Sequence, residues 1–293
     1  MARFGKWSIL RAENPEDTNM AETEKLRADV ALFAQGLAPS RERARALIEA
    51  GLVYVGGAQV KKAAQQVGAE DALEVRGEVC PYVSRGGFKL ERALRSFHVD
   101  VRGMVCIDVG ASTGGFTDVL LQNGAERVYA VDVGTAQLDP KIEADARVVK
   151  MEQTNARTLT RELFAPAPTL GVMDVSFISI LKILPALRQV LGDGGRLLSL
   201  IKPQFEAGRE LLGKKGVVSK PAVHERVLRD VISLAPECGW RVRALDFSPI
   251  KGGDGNLEFL ADFVPDDGRQ PIPDAQQIRE LVRRAHEAMR QEK

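Results

Sequence analysis

The stretch that most restricts what this chain can become is a short apolar run that ends in a cluster of small residues. Val105-Cys-Ile-Asp-Val109 reads as a buried strand, and Asp108-Val-Gly-Ala-Ser-Thr-Gly-Gly-Phe-Thr carries it through a turn into a helix opening near Phe116. Gly110, Gly114 and Gly115 let the backbone turn sharply and approach a ligand without a Cβ in the way. The helix that follows offers unpaired N–H groups at its start. Downstream the same alternation continues. Strands are expected at 128–133, 148–151, 171–175, 196–201, 242–247 and 258–263, with helices at 183–191 and 223–234 between them. A helix over 89–97 precedes the first strand. Seven strands interleaved with helices predict an α/β fold, a Rossmann-like sheet covered on both faces.

Asp132 closes the next strand, Tyr129-Ala-Val-Asp, 22 positions after Gly110. An acid at that point accepts two hydrogen bonds from ribose hydroxyls. The alternative is a tight strand–helix turn with a solvated carboxylate. A nicotinamide site would read GxGxxG, and Ser112 with an extra residue displaces that spacing. The turn instead resembles the version that cradles the amino-acid end of S-adenosylmethionine in methyltransferases. Asp108, Gly110, Ala111, Ser112, Gly114, Gly115, Phe116 and Asp132 are the candidate cofactor residues. Asn155, in Gln153-Thr-Asn-Ala, either reaches the adenine or satisfies its own backbone.

The 293 residues suggest more than one domain. Residues 1–23 read as a tail, with Met20 an alternative start, and 24–77 as a small α+β module. Leu26, Val30, Leu32 and Phe33 suggest a first helix, Ser40 caps a second, and short strands follow from Leu52. Residues 78–84 make a linker, 85–265 the α/β domain, and 266–293 a polar tail with a helix from Asp274. Arg41 and Arg45 share one helix face, and Arg43, Lys61 and Lys62 join them. These residues form either a phosphate-binding surface or a solvated face. Arg85, Arg209, Lys214, Lys215 and Lys220 extend the cations, and 213–216 reads as a lid or a plain loop. Net charge is only +1, so any nucleic-acid surface has to be local. Cys80, Cys106 and Cys238 form no pair, which argues against a disulfide framework or structural metal and for a reducing cytoplasm. No apolar run approaches a membrane span.

Four polar residues fall at or near strand ends. Lys89 lies in Ser84-Arg-Gly-Gly-Phe-Lys, Asp174 ends the fourth strand, Lys202 ends the fifth in Ile201-Lys-Pro-Gln-Phe-Glu, and Glu258 starts the seventh. Ligands of such sheets bind outside the carboxyl ends of the strands, so Asp174 also borders the cofactor turn. A ribose hydroxyl is a poor nucleophile and needs such a set. A lysine between carboxylates is held charged, while burial and a second lysine push the other way. Lys202 can therefore serve as a general base or as a cation beside a developing alkoxide. Individually each residue is also explained as a solvated charge. Asp174-Val-Ser-Phe lacks the prolines expected for methylation of an exocyclic amine, and no cysteine is placed for base-carbon chemistry.

Taken in order, these motifs resemble a known family. Leu37-Ala-Pro-Ser-Arg through Val55-Gly-Gly is similar to the RNA-binding domain first described in the S-four ribosomal protein. Ser84-Arg-Gly-Gly-Phe-Lys, the Asp108 turn, Asp174-Val-Ser-Phe-Ile-Ser, Lys202-Pro-Gln-Phe-Glu and Lys215-Gly-Val-Val look like the TlyA (haemolysin A type) family of FtsJ-like methyltransferases. The likeness runs from about Leu26 to Val264. It implies a class I methyltransferase sheet, S-adenosyl-L-methionine as cofactor, and a catalytic tetrad on Lys89, Asp174, Lys202 and Glu258. It also implies transfer to cytidine 2′-hydroxyls of 16S and/or 23S ribosomal RNA, alone or in subunits. Arg27-Ala-Asp departs from the more usual Arg-Leu-Asp. Competing readings are an RNA-binding assembly factor without transfer, a haemolysin, and a nicotinamide oxidoreductase. The intact tetrad, the lack of a membrane segment and the turn spacing count against them in that order.

Overall fold

The computed structural model describes residues 25–77, 80–213, 215–269 and 271–291. The expected tail 1–23 with Met20, the first linker residues and Lys214 lie outside them. The chain divides into two units, 1–79 and 80–293.

In the first unit, β1 (Lys25–Arg27) leads into α1 (Ala28–Ala34), and α2 (Arg41–Glu49) follows. The Ser40 side chain caps α2 by accepting from the Arg43 N–H at 3.1 Å. Then come β2 (Val53–Val55), β3 (Ala58–Gln59), β4 (Gln66–Gly68) and β5 (Leu73–Val75). β2 is flanked by β3 and β5, while β1 pairs antiparallel with β4. Leu26 therefore belongs to a strand and not to the first helix, and Phe33 on that helix is exposed. Ala28, Leu32, Leu47, Ile48, Val53 and Val67 make the core of this unit.

The second unit opens with α3 (Gly87–Ser96). It continues through β6 (Val105–Val109), α4 (Gly115–Gln122), β7 (Arg127–Val131), α5 (Pro140–Glu143), β8 (Val148–Met151) and β9 (Leu170–Met173). After these come α6 (Leu184–Leu191), β10 (Arg196–Ile201), α7 (Pro203–Glu206), α8 (Pro221–Leu234), β11 (Trp240–Phe247), β12 (Phe259–Pro265) and α9 (Ala275–Gln291). The sheet order is β11-β12-β10-β9-β6-β7-β8, parallel except for β12, which runs antiparallel to both neighbours. Successive strand residues face opposite layers. Ile107 and Val109 join α6, α8 and α9 on one side. Cys106 joins α3 and α4 on the other.

Two sequence expectations change here. The C-terminal helix is no polar tail: Ile278, Leu281, Val282, Ala285 and Met289 are buried in the main core against α8. Their spacing is that of one helix face. Glu258 does not begin the last strand but immediately precedes it.

The chain runs from β6 outward to β7 and β8, then returns to β9 and β10 on the other side. The reversal point lies between β6 and β9, where α/β sheets open a crevice at their carboxyl ends. Gly110 and Asp174 stand there together, tied by the Asp174 N–H donating to the Val109 carbonyl at 3.0 Å.

Candidate active site

All but one of the residues that build the site come from strand ends. Gly110 follows β6, Asp132 follows β7, Asp174 follows β9 and Lys202 follows β10, while Glu258 enters from the start of the reversed β12. Lys89 comes from the first turn of α3. Gly110 has φ +83, and a Cβ there would run into the Asp174 carbonyl oxygen. Only glycine fits that crossing.

Two cavities open around it. One, of about 390 Å³, is lined by residues including Gly110, Ser112, Asp132, Val133, Asn155, Asp174 and Phe177. The other, of about 210 Å³, is lined by Ser84, Gly86, Ala111, Thr113, Gly115, Phe116 and Lys202 among others. Gly110, Ser112, Asp174 and Ser176 border both. Asp132 accepts from the Ser112 N–H at 2.9 Å and the Gly134 N–H at 2.7 Å. A carboxylate has about four acceptor positions, so a ribose diol can still be received. The Asn155 oxygen caps a 3-10 turn by accepting from the Arg157 N–H at 3.1 Å, while the residue also lines the larger cavity. Asp108 does not reach a cavity wall. It is wholly buried and accepts the Thr117 hydroxyl at 2.7 Å.

The structure brings Lys89, Asp174, Lys202 and Glu258 into one chain of contacts. Glu258 lies 2.6 Å from the Lys89 ammonium, which is 3.3 Å from one Asp174 oxygen. The other Asp174 oxygen is 2.6 Å from the Lys202 ammonium. Lys202 also donates to the Ser176 hydroxyl at 2.8 Å. Lys89, Lys202 and Glu258 are 7%, 9% and 3% exposed. Burial works to lower the Lys89 pKa, but the Asp174 and Glu258 carboxylates outweigh it and hold the ammonium above its ordinary value. Burial raises the Glu258 pKa, with Lys89 pulling against it. Gly252 packs so closely on Glu258 that a Cβ there would meet its carboxylate.

Ser176 and Phe177 were missed by sequence reasoning. Phe177 is 91% exposed at φ +65, with its ring 5.3 Å from that of Phe205. A positive φ is costly for a bulky side chain. A large apolar ring held in the open at the mouth of a polar site is a feature of function more than of packing.

In the first unit, Arg41 and Arg45 converge with Arg27 on one carboxylate. Asp29, whose side chain is fully buried, lies 2.9 Å from Arg27, 3.5 Å from Arg41 and 3.1 Å from Arg45. The Arg27 hydrogen bond is the largest influence holding Asp29 well below the ordinary carboxylate range. Three half-exposed guanidiniums around one acid leave a net positive surface. Arg43, Lys61 and Lys62 are exposed on the same unit, as are Arg85, Arg209, Lys215 and Lys220 on the other.

The sheet order and the glycine turn at its reversal point are those of a nucleotide-type α/β domain. Residues 82–263 match the FtsJ-like methyltransferase model, and 26–73 match the S4 domain. The chain belongs to the FtsJ-like methyltransferase family and carries an S4 domain in front. It is 46% identical over 275 residues to "Putative rRNA methyltransferase YqxC" of Bacillus subtilis, covering 92% of this chain and 98% of that one. It is 43% identical over 237 residues to "16S/23S rRNA (cytidine-2'-O)-methyltransferase TlyA" of Mycobacterium tuberculosis, covering 80% and 88%. Among solved structures, "Putative hemolysin from Streptococcus thermophilus" superposes with a TM-score of 0.72 at 47% identity, covering 92% of this chain and 98% of that one. No helix among the described residues is long and apolar enough to cross a membrane.

Proposed function

We propose that this protein methylates ribosomal RNA on a cytidine ribose 2′-hydroxyl, in 16S and/or 23S RNA, using S-adenosyl-L-methionine. The observation that carries the reading is the continuous contact from Glu258 through Lys89 and Asp174 to Lys202, ending on the wall of the smaller cavity. The residues present fit the cofactor. Gly110 would clear the floor, Asp132 would receive the ribose, Asn155 and Val133 would border the adenine side, and Ala111, Ser112, Gly115 and Phe116 would surround the amino-acid side, while Gly114 lines neither cavity and packs against Ile142 and Leu138. When bound, S-adenosylmethionine supplies an electrophilic methyl group.

The chain's own residues manage the acceptor. A ribose hydroxyl must lose its proton as its oxygen takes the methyl. Lys202 lies on the cavity wall and holds or moves that proton at the 2′-oxygen. Asp174 and Ser176 engage its ammonium and fix its position. Lys89 and Glu258 stand behind, and Lys89, held charged, keeps Asp174 in place. Phe177 offers a stacking face to the base of the target nucleotide. The arginines around Asp29, with Arg43, Lys61, Lys62 and Arg85, bind RNA phosphates. The named activity of the tuberculosis relative supports the same target.

The test uses tritiated S-adenosylmethionine with unmodified ribosomal subunits and compares wild type with Lys202→Ala. Label on a cytidine ribose, lost by at least a hundredfold in the variant that still binds cofactor, is the expected result. Cofactor binding without transfer to any RNA overturns the reading in favour of a non-catalytic RNA-binding factor. Label on a base overturns the proposed chemistry.

A further inference from the structure

The proposed mechanism leaves one acid of the Lys202-Pro-Gln-Phe-Glu motif unused. Glu206 closes α7, whose single turn begins directly after Lys202. One of its oxygens accepts the Ser179 hydroxyl at 2.7 Å, and the other accepts the Ile180 N–H at 2.9 Å. Both donors lie at the end of the loop that starts at Asp174. Among the described residues no lysine or arginine forms an ion pair with Glu206. Burial raises its pKa, with the Ile180 N–H and the Ser179 hydroxyl pulling it back. A half-buried carboxylate without a cation carries a desolvation cost, which its two directed hydrogen bonds offset.

Three successive contacts thus join this one turn to the loop. Lys202 reaches Asp174 and Ser176 at its start, Phe205 meets Phe177 in the middle, and Glu206 grips Ser179 and Ile180 at its end. The first and second contacts involve the groups that would meet substrate. The third touches nothing in either cavity, yet it fixes where the loop can lie. Releasing it frees residues 175–179 to shift relative to Lys202, and displacements near 1 Å are enough to cost about a hundredfold in rate.

We propose that Glu206 is a positioning residue: its paired hydrogen bonds to Ser179 and Ile180 set the register between the Asp174 loop and the turn that carries Lys202. The proposal rests on the methyl-transfer reading for its kinetic consequence, but not for its structural one. The test compares Glu206→Ala, Glu206→Gln and Ser179→Ala with wild type in two measurements. Hydrogen exchange of the peptide spanning 174–183 reports the loop without any turnover, and steady-state kinetics on ribosomal RNA report the reaction. An amide oxygen can still accept from Ile180, and Ser179 can accept from the amide nitrogen. Glu206→Gln is therefore expected to keep slow exchange and kcat within about threefold, Ser179→Ala to fall between, and Glu206→Ala to exchange at least tenfold faster with kcat down at least tenfold. Fast exchange in Glu206→Ala with an unchanged kcat overturns the positioning role. Unchanged exchange overturns the clamp itself, and equal damage from Gln and Ala shows that charge and not geometry is at work. Should Glu206→Ala fail to fold, Glu206→Gln and Ser179→Ala still decide the outcome. A wild type that transfers no methyl defeats the proposed function, while the exchange data judge the clamp separately.

Discussion

Replacing Asp108 by asparagine should change how the stability of this protein depends on pH. Asp108 faces the α3–α4 layer and is wholly buried, with one oxygen bonded to Thr117 and the other without a partner among the described residues. Burial pushes its pKa up to about 7; Thr117 pulls the other way, and the Asp174 and Asp132 charges add to the rise. An unfolded aspartate titrates near 3.9. Between roughly pH 4 and 7 the folded chain therefore holds a proton that the unfolded chain has lost. The corresponding stability is fully present below about pH 4 and is lost as pH rises through about 7, at about 1.4 kcal/mol per pH unit. Over roughly three pH units the sum is about 4 kcal/mol. Asparagine does not titrate. Urea unfolding of the cofactor-free protein, followed through buried Trp240, should show the stability of Asp108→Asn relative to wild type rising by about 4 kcal/mol from pH 4 to 8, then levelling. A difference between the two proteins that stays constant across that range would refute the reasoning, since any fixed cost of the amide is independent of pH.

The S4 unit and the exposed ring make separate predictions. Arg41→Ala combined with Arg45→Ala should lower the slope of log affinity against log salt by about 1.4 on single-stranded RNA, if each arginine neutralises one phosphate. Anisotropy titrations of a ribosomal RNA fragment at several salt concentrations measure this, and an unchanged slope removes the arginines from the interface. Phe177→Ala should raise KM for RNA by about 5- to 150-fold, the equivalent of 1–3 kcal/mol of stacking. It should leave Tm within about a degree, because the ring is almost wholly exposed. Unchanged RNA kinetics would return Phe177 to the status of a bystander.

The parts legible in the sequence were those in which a local pattern implies its own surroundings. β6, β7, β9 and β10 are short apolar runs that must be buried on both faces, so polar residues closing them, such as Asp132 and Lys202, announce the sheet's carboxyl edge. The glycine turn is legible for the same reason. Contacts made by tertiary approach were not. Asp29 lies near Arg27 in the chain, but its link to Arg41 and Arg45 depends on how α1 meets α2. Glu206 and Ser179 are 27 residues apart. Leu26 is drawn into β1 by pairing with β4, and three residues carry too little propensity of their own to show it. The buried face of α9 was visible in its spacing but masked by the charged flank of Glu280, Arg283 and Glu287, which bond to one another.

The reversed course of β12 has a consequence for damaged or shortened chains. β6, β7, β9 and β10 bring their last residues or those just after them to the crevice, whereas β12 brings the residue before its first. A chain interrupted ahead of residue 258 would keep the glycine turn, both lysines and Asp174, and so every group that borders the two cavities. It would lack the acid behind Lys89, leaving two ammonium groups to share a single carboxylate, and it would leave β10 as an open sheet edge. Such a fragment would also lose the buried residues of β12 and α9 from the main core, and its bare edge would be prone to pair with another chain. The residues that line both cavities thus depend, for the core that positions them, on a segment of chain that lines neither.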